Sequence, residues 1–202
     1  MEEQRAAGLI DDRNKVLLAY LTLSRDKKFF KISEQDRLKL INAVQDFGSG
    51  LARDIKKEFG ATDPRRIVEM MGLKVIGEDR GIRGTLLTRS EYRPRAKQIV
   101  IYRDSLNQLM KEVASEDLSD KLMKLLIAHE LFHHLEITRK LNIPRLFRIK
   151  RWSLGPITIF VKIRAVSEVA AHAFAEELLD LKQSPMVFDY LTYIFYSGKK
   201  YS

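Results

Sequence analysis

The sequence predicts an α+β fold: a helical N-terminal extension over residues 1–60, then one domain over 61–202 in which a small, mostly antiparallel sheet packs on helices. Three observations carry this expectation. Apolar residues recur at helical spacing through the first sixty positions. Three short β-rich segments follow between residues 73 and 102. Two further helical patterns, 118–141 and 167–179, then flank a strongly basic stretch.

Taken in order, Val16, Leu17, Leu18, Leu21 and Leu23 mark the first helix. Ser33, with Asp36 three residues on, offers an N-cap for a run through Leu38, Leu40, Ile41, Val44 and Phe47. Gly48-Ser49-Gly50 is expected to break that helix before it resumes over 51–59. Asp63-Pro64 reads as a cap followed by a first-turn proline, and Gly72 as the stop. Segments 73–76, 84–88 and 98–102 read as strands, separated by glycine or by the polar run 90–95. Asp104 is expected to cap a helix over 105–113, which leads through a polar turn to the helix over 118–141. Residues 157–163 have β character, and Ser184-Pro185 restarts a helix through Met186, Phe188, Leu191, Ile194 and Phe195.

Composition narrows the class. The 202 residues are 45% apolar, enough for a globular core, and include no cysteine, which removes disulfides, thiolate ligands and cysteine nucleophiles. The charged start Met1-Glu2-Glu3-Gln4-Arg5 lacks a signal-peptide core, and apolar stretches such as 155–161 fall far below the roughly 20 residues of a membrane helix. A soluble cytoplasmic protein is expected. The net charge of +9 is unevenly spread: no acid occurs between Ile137 and Ser167, where Arg139, Lys140, Arg145, Arg148, Lys150, Arg151, Lys162 and Arg164 gather around Phe147 and Trp152. This basic insertion, 139–164, suits contact with nucleic acid, an acidic protein or an anionic surface, but no base-reading motif accompanies it.

The chemistry concentrates in His129-Glu130-Leu131-Phe132-His133, an HExxH run inside the helical pattern 118–141. Residues four apart lie one turn up and about 40° around a helix, so both imidazoles can reach one ion at about 2.0–2.1 Å. The histidines share the apolar stripe with Leu122, Leu125, Leu126, Phe132 and Leu135. Burying two imidazoles and a carboxylate costs several kcal/mol unless something pairs with them, and a zinc ion is the partner that this spacing suits.

A catalytic zinc site has three protein ligands and one open position. His134 points about 100° away from His133, so the third ligand must come from elsewhere. The helix over 167–179 presents Glu168 and His172 together, and either can ligate. Glu176, Glu177 and Asp180 are outside candidates. Small Ala170, Ala171 and Ala173 would let this helix approach the HExxH helix closely.

These features together resemble the ImmA/IrrE family of metallopeptidases. Ile67-Val68-Glu69-Met70-Met71-Gly72-Leu73-Lys74-Val75-Ile76 resembles the family's helix running into a strand, and Glu168-x-x-Ala171-x-x-Phe174-Ala175-x-x-Leu178-Leu179 resembles its Glu-x-x-Ala-Asn-x-Phe-Ala segment. The resemblance covers roughly residues 50–182. It implies a zincin-like core, a Zn²⁺ cofactor, His129, His133 and Glu168 as ligands, and Glu130 as general base. It also implies hydrolysis of a peptide bond in a protein substrate, a DNA-binding helix-turn-helix repressor in known members, in stress responses and transcription regulation. In zincins an edge strand beside the metal pairs with substrate, and 83–92 is the segment expected to do so, with Tyr92 as a candidate oxyanion donor. This chain departs from the family in having His172 at its usual Asn, Asp180-Leu181 at its Met-Pro, and a longer gap between His133 and Glu168. His172 is therefore open as a ligand, a partner of a ligand or a transition-state donor. The alternative function is a regulatory binding protein that docks a repressor or nucleic acid with little turnover.

Overall fold

The computed structural model describes residues 15–84, 86–110 and 116–181, and its first described element is helix α1 over 15–24. A 3-10 turn, Phe29–Lys31, leads to α2, Glu34–Phe59. The cap at Ser33 forms: its Oγ accepts from the Asp36 amide at 3.2 Å and donates to the Asp36 carboxylate at 2.7 Å. The expected break at residues 48–50 does not occur, and α2 runs unbroken for 26 residues to Gly60. Glycine in a helix interior costs about 1 kcal/mol, but here another helix, α7 (Val166–Leu178), crosses directly over it. A Cβ on Gly48 would lie 2.3 Å from the Ala170 carbonyl oxygen and 3.0 Å from Ala173 Cβ. Tertiary packing, not local preference, decides this segment.

Helix α3, Pro64–Met70, starts at Asp63, whose carboxylate accepts from the Arg65 amide at 2.9 Å. It ends at Gly72 (φ 68°), with the Gly72 and Leu73 amides bonded back to Glu69 and Val68. Five short strands follow: β1 Lys74–Glu78, β2 Ile82–Arg83, β3 Leu86–Leu87, β4 Ser90–Arg93 and β5 Gln98–Tyr102. The main sheet has the order β1-β5-β4, with buried β5 in the middle. It pairs parallel with β1 and antiparallel with β4, while β2 and β3 form a separate antiparallel ribbon. The polar run expected to separate strands thus supplies one itself. As an edge strand, β4 tolerates polar residues, and Arg93 reaches across the sheet to Glu78 at 2.6 and 3.0 Å.

Helix α4, Arg103–Met110, begins one residue before Asp104, which is not simply its cap. The Asp104 carboxylate accepts from the Gly81, Ile82 and Ser105 amides at 2.9–3.1 Å, so it also fastens the β1–β2 loop. Helix α5, Glu116–Thr138, carries the HExxH run. The basic insertion folds as a short helix, α6 (Ile143–Leu146), and a hairpin of β6 (Ile149–Leu154) and β7 (Ile157–Val161), before α7. The end of the helix expected over 105–113, the start of the turn expected after it, and the expected helix beyond Ser184-Pro185 lie outside the described residues. The architecture is α+β, mainly helical with small sheets. Three of its four strand pairings among the described residues are antiparallel.

One core joins these parts. Ile41, Val44 and Ile55 of α2, Ile67 of α3, Ile99 of β5, Leu131 and Phe132 of α5, and Val169 and Phe174 of α7 are all buried in it. Helix α7 lies between α2 and α5, and its Phe174 ring meets Phe132 of α5 at 5.8 Å. No helix among the described residues is long and apolar enough to cross a membrane.

Candidate metal centre

Ile127, Ala128, Leu131, Phe132 and Leu135 bury one side of α5 and fix its rotation. That rotation turns His129 and His133 together toward α7, with their Nε2 atoms 3.2 Å apart. Glu168, in the first turn of α7, faces them: its Oε2 is 3.3 Å from His129 Nε2 and its Oε1 is 3.6 Å from His133 Nε2. A tetrahedral ion with bonds of about 2.0–2.2 Å has donor-to-donor edges of about 3.3–3.6 Å. The separations are of that size, with a different carboxylate oxygen facing each histidine, and one donor atom from each of the three residues lies within 4.8 Å of the others, so these side chains form a group that can hold a metal ion. Among the described residues this is the one cluster of its kind.

Electrostatics agree with the geometry. Burial by itself pushes the Glu168 carboxyl up, but the hydrogen bond from His129 and the charges of His129, His133 and His172 outweigh it and hold it at about 2. The carboxylate is thus kept in its ligating form, although 51% of the side chain remains exposed.

Glu130 points the other way around α5 from solvent and is only 5% exposed. Its Oε1 accepts a 2.7 Å hydrogen bond from Ser90 Oγ on the edge strand β4. Nothing in the sequence indicates this partner, because forty residues separate the two and only the sheet-to-helix packing brings them together. A second unforeseen residue is Glu136. Its Oε2 lies 3.4 Å from His133 Nδ1, and its Oε1 accepts from Ser167 Oγ at 2.8 Å. Burial pushes the Glu136 carboxyl up, and its bonds to His133 and Ser167 more than reverse this. A carboxylate on the far nitrogen of a ligating histidine fixes its tautomer and orientation. Here the signal was present, since Glu136 follows His133 by three residues, one helical turn.

His172 is 7% exposed and its ring lies 4.8 Å from that of His129, but it stands outside the three-residue donor group. Tyr92, expected in a turn, is on β4. Its hydroxyl and His134 Nδ1 share a 2.8 Å hydrogen bond. Burial lowers the pKa of His134, and nearby Lys97 and Arg139 lower it further. Of the outside candidates, Glu176 pairs with Lys15, and Glu177 with Arg53 at 3.0 Å. Both carboxylates face α1 and α2, away from the centre. The small residues of α7 also serve α2 more than α5, since Ala170 and Ala173 are what Gly48 meets.

A cavity of ≈ 470 Å³ opens over the cluster. One wall is Thr88, Ser90 and Tyr92 from the β3–β4 edge; the other is His129, Glu130 and Glu168. The arrangement places a buried carboxylate beside a metal-binding group, under a strand edge with free backbone groups. No family model, curated protein or solved structure matches this chain.

Proposed function

We propose that this protein is a zinc-dependent endopeptidase of ImmA/IrrE type, acting on an extended segment of a protein substrate. The observation that supports it most is the convergence of His129, His133 and Glu168 in one group that can hold a metal ion, with Glu130 alongside. When bound there, Zn²⁺ supplies Lewis-acid chemistry, polarising a carbonyl and lowering the pKa of a water toward neutrality. Glu130 accepts the proton of the attacking water and delivers it to the departing amine. Ser90 holds one Glu130 oxygen in place and leaves the other for this transfer. Glu136 fixes His133 through Nδ1 and so presents Nε2. His172 lines the same cavity and is the side chain we assign to the developing oxyanion. Tyr92, hydrogen-bonded to His134, lines the same cavity and is the second candidate for that task. The edge of β4 receives the substrate backbone as an added strand.

The substrate class, a DNA-binding repressor cleaved within the cytoplasm, is taken from the family resemblance. The purified protein should contain about one zinc per chain. The Glu130→Gln variant should keep the metal and lose cleavage; full turnover by that variant would falsify the mechanism. A second reading, a docking protein for a repressor or nucleic acid with little turnover, is favoured by the basic insertion. It leaves the buried Glu130–Ser90 pair without a purpose. Gel shifts across a salt series separate the two, because phosphate contacts weaken steeply with salt.

A further inference from the structure

The β6–β7 hairpin takes no part in the metal centre, yet its side chains are sorted in an unusual way. Ile149 pairs with Val161 and Trp152 with Ile159, and cross-strand partners share a face of the ribbon. A bulge between Lys150 and Trp152 takes up Arg151, so that Ile149 and Trp152 come out on the same side. These four side chains are all apolar. At the inner end of that face Val161 is buried and Ile149 packs on the core. About 7 Å further out, Trp152 and Ile159 are 44% and 39% exposed.

Charge follows the opposite gradient. The ten residues 152–161 carry none, while Lys150, Arg151, Lys162 and Arg164 flank them on both sides. Arg148 stacks on Phe160 at 4.4 Å, on the other face. At the base a concavity of ≈ 250 Å³ gathers Lys28 and Lys31, from the turn before α2, with Arg151 and Lys162, against Ile159 and Phe160. The Asp26 carboxylate accepts from the Arg164 backbone amide at 3.0 Å. None of Lys150, Arg151 and Lys162 forms an ion pair among the described residues.

We infer that the β6–β7 hairpin docks this protein on an anionic lipid bilayer, with Trp152 and Ile159 at the headgroup–acyl boundary and the Lys28, Lys31, Arg151 and Lys162 collar on the lipid phosphates. A nucleic acid would need cations spread along the contact face to meet a row of phosphates. Here the cations gather in one concavity beside an uncharged tip, which is the layering of a bilayer surface: charge outside, hydrocarbon within. The proposal is independent of the peptidase reading.

Trp152 is the sole tryptophan of the chain, so the wild-type protein reports its own docking. Full-length protein is titrated with vesicles of phosphatidylcholine alone, or mixed with phosphatidylglycerol, with and without brominated acyl chains. The expected result is a blue shift and bromine quenching with phosphatidylglycerol vesicles only, weakening as salt rises. Ile159→Asp should lower partitioning about tenfold or more, and Lys162→Gln about fivefold, with far-UV dichroism and bound metal unchanged. Quenching is read on the wild type and stands even if a variant misfolds. Three outcomes overturn the proposal: no partitioning, partitioning without quenching, or a Trp152 response to oligothymidylate in place of vesicles. The last would make the hairpin a nucleic-acid surface.

Discussion

Helix α7 does two different jobs on two of its faces. Toward α2 it presents Ala170 and Ala173, packed so closely that only glycine fits at position 48. Toward α5 it presents Glu168 and His172, which meet His129 and His133 in a polar cluster. The first contact is dry, and its strength lies in shape. The second gathers like-charged and titratable groups that cost free energy until an ion or proton compensates them. A strong apolar contact on one side of a helix can therefore hold an unfavourable arrangement in place on the other.

Variants that touch only one face test this division. The largest effect belongs to Glu130→Gln: peptide hydrolysis should fall about 10²–10⁴-fold, the range of a lost general base, with melting temperature and bound metal unchanged. A large drop in melting temperature would show that the polar side also carries stability. Next, Gly48→Ala should destabilise by about 1–3 kcal/mol in denaturant unfolding, since its Cβ meets a backbone oxygen that cannot step aside. The same change two residues on, Gly50→Ala, meets only the end of the Arg53 side chain and should stabilise by about 0.5–1 kcal/mol. Equal effects at the two sites would remove the close packing from the account. Glu136→Gln should weaken metal affinity about 10–100-fold in a competitive chelator titration, leaving the fold intact.

The smallest effect concerns protons. In metal-free protein the Glu168 carboxyl is held at about 2, against an ordinary value of 4.5. A depressed carboxyl contributes stability above its unfolded pKa and loses it as pH falls through the folded one. Unfolding free energy of the metal-free protein should thus decline between about pH 4.5 and 2, by a modest amount because the side chain is half exposed. Glu168→Gln should flatten the curve within that window.

What the sequence discloses and what it hides follow the same physical line. The HExxH pair, the caps at Ser33 and Asp63, the stop at Gly72 and strand β5 depend on neighbours within one or two turns, and all were legible. Gly48 was misread because a glycine needed for a crossing helix looks the same as one that ends its own. Ser90 gave no sign of Glu130, since their contact depends on how the sheet edge sits on α5. Glu136 was readable at helical spacing, one turn beyond His133. The hairpin's apolar face was obscured by its bulge: Ile149, Trp152 and Leu154 follow neither a period of two nor a helical one until Arg151 is set aside.

The Gly48–Ala170 contact also orders events in time. His129 and His133 belong to one helix and come together as soon as α5 forms, whereas Glu168 is placed only when segments more than a hundred residues apart have closed on each other. Such long-range closure is the slow part of folding. A chain still folding therefore brings its two histidines together well before the three-residue group is complete.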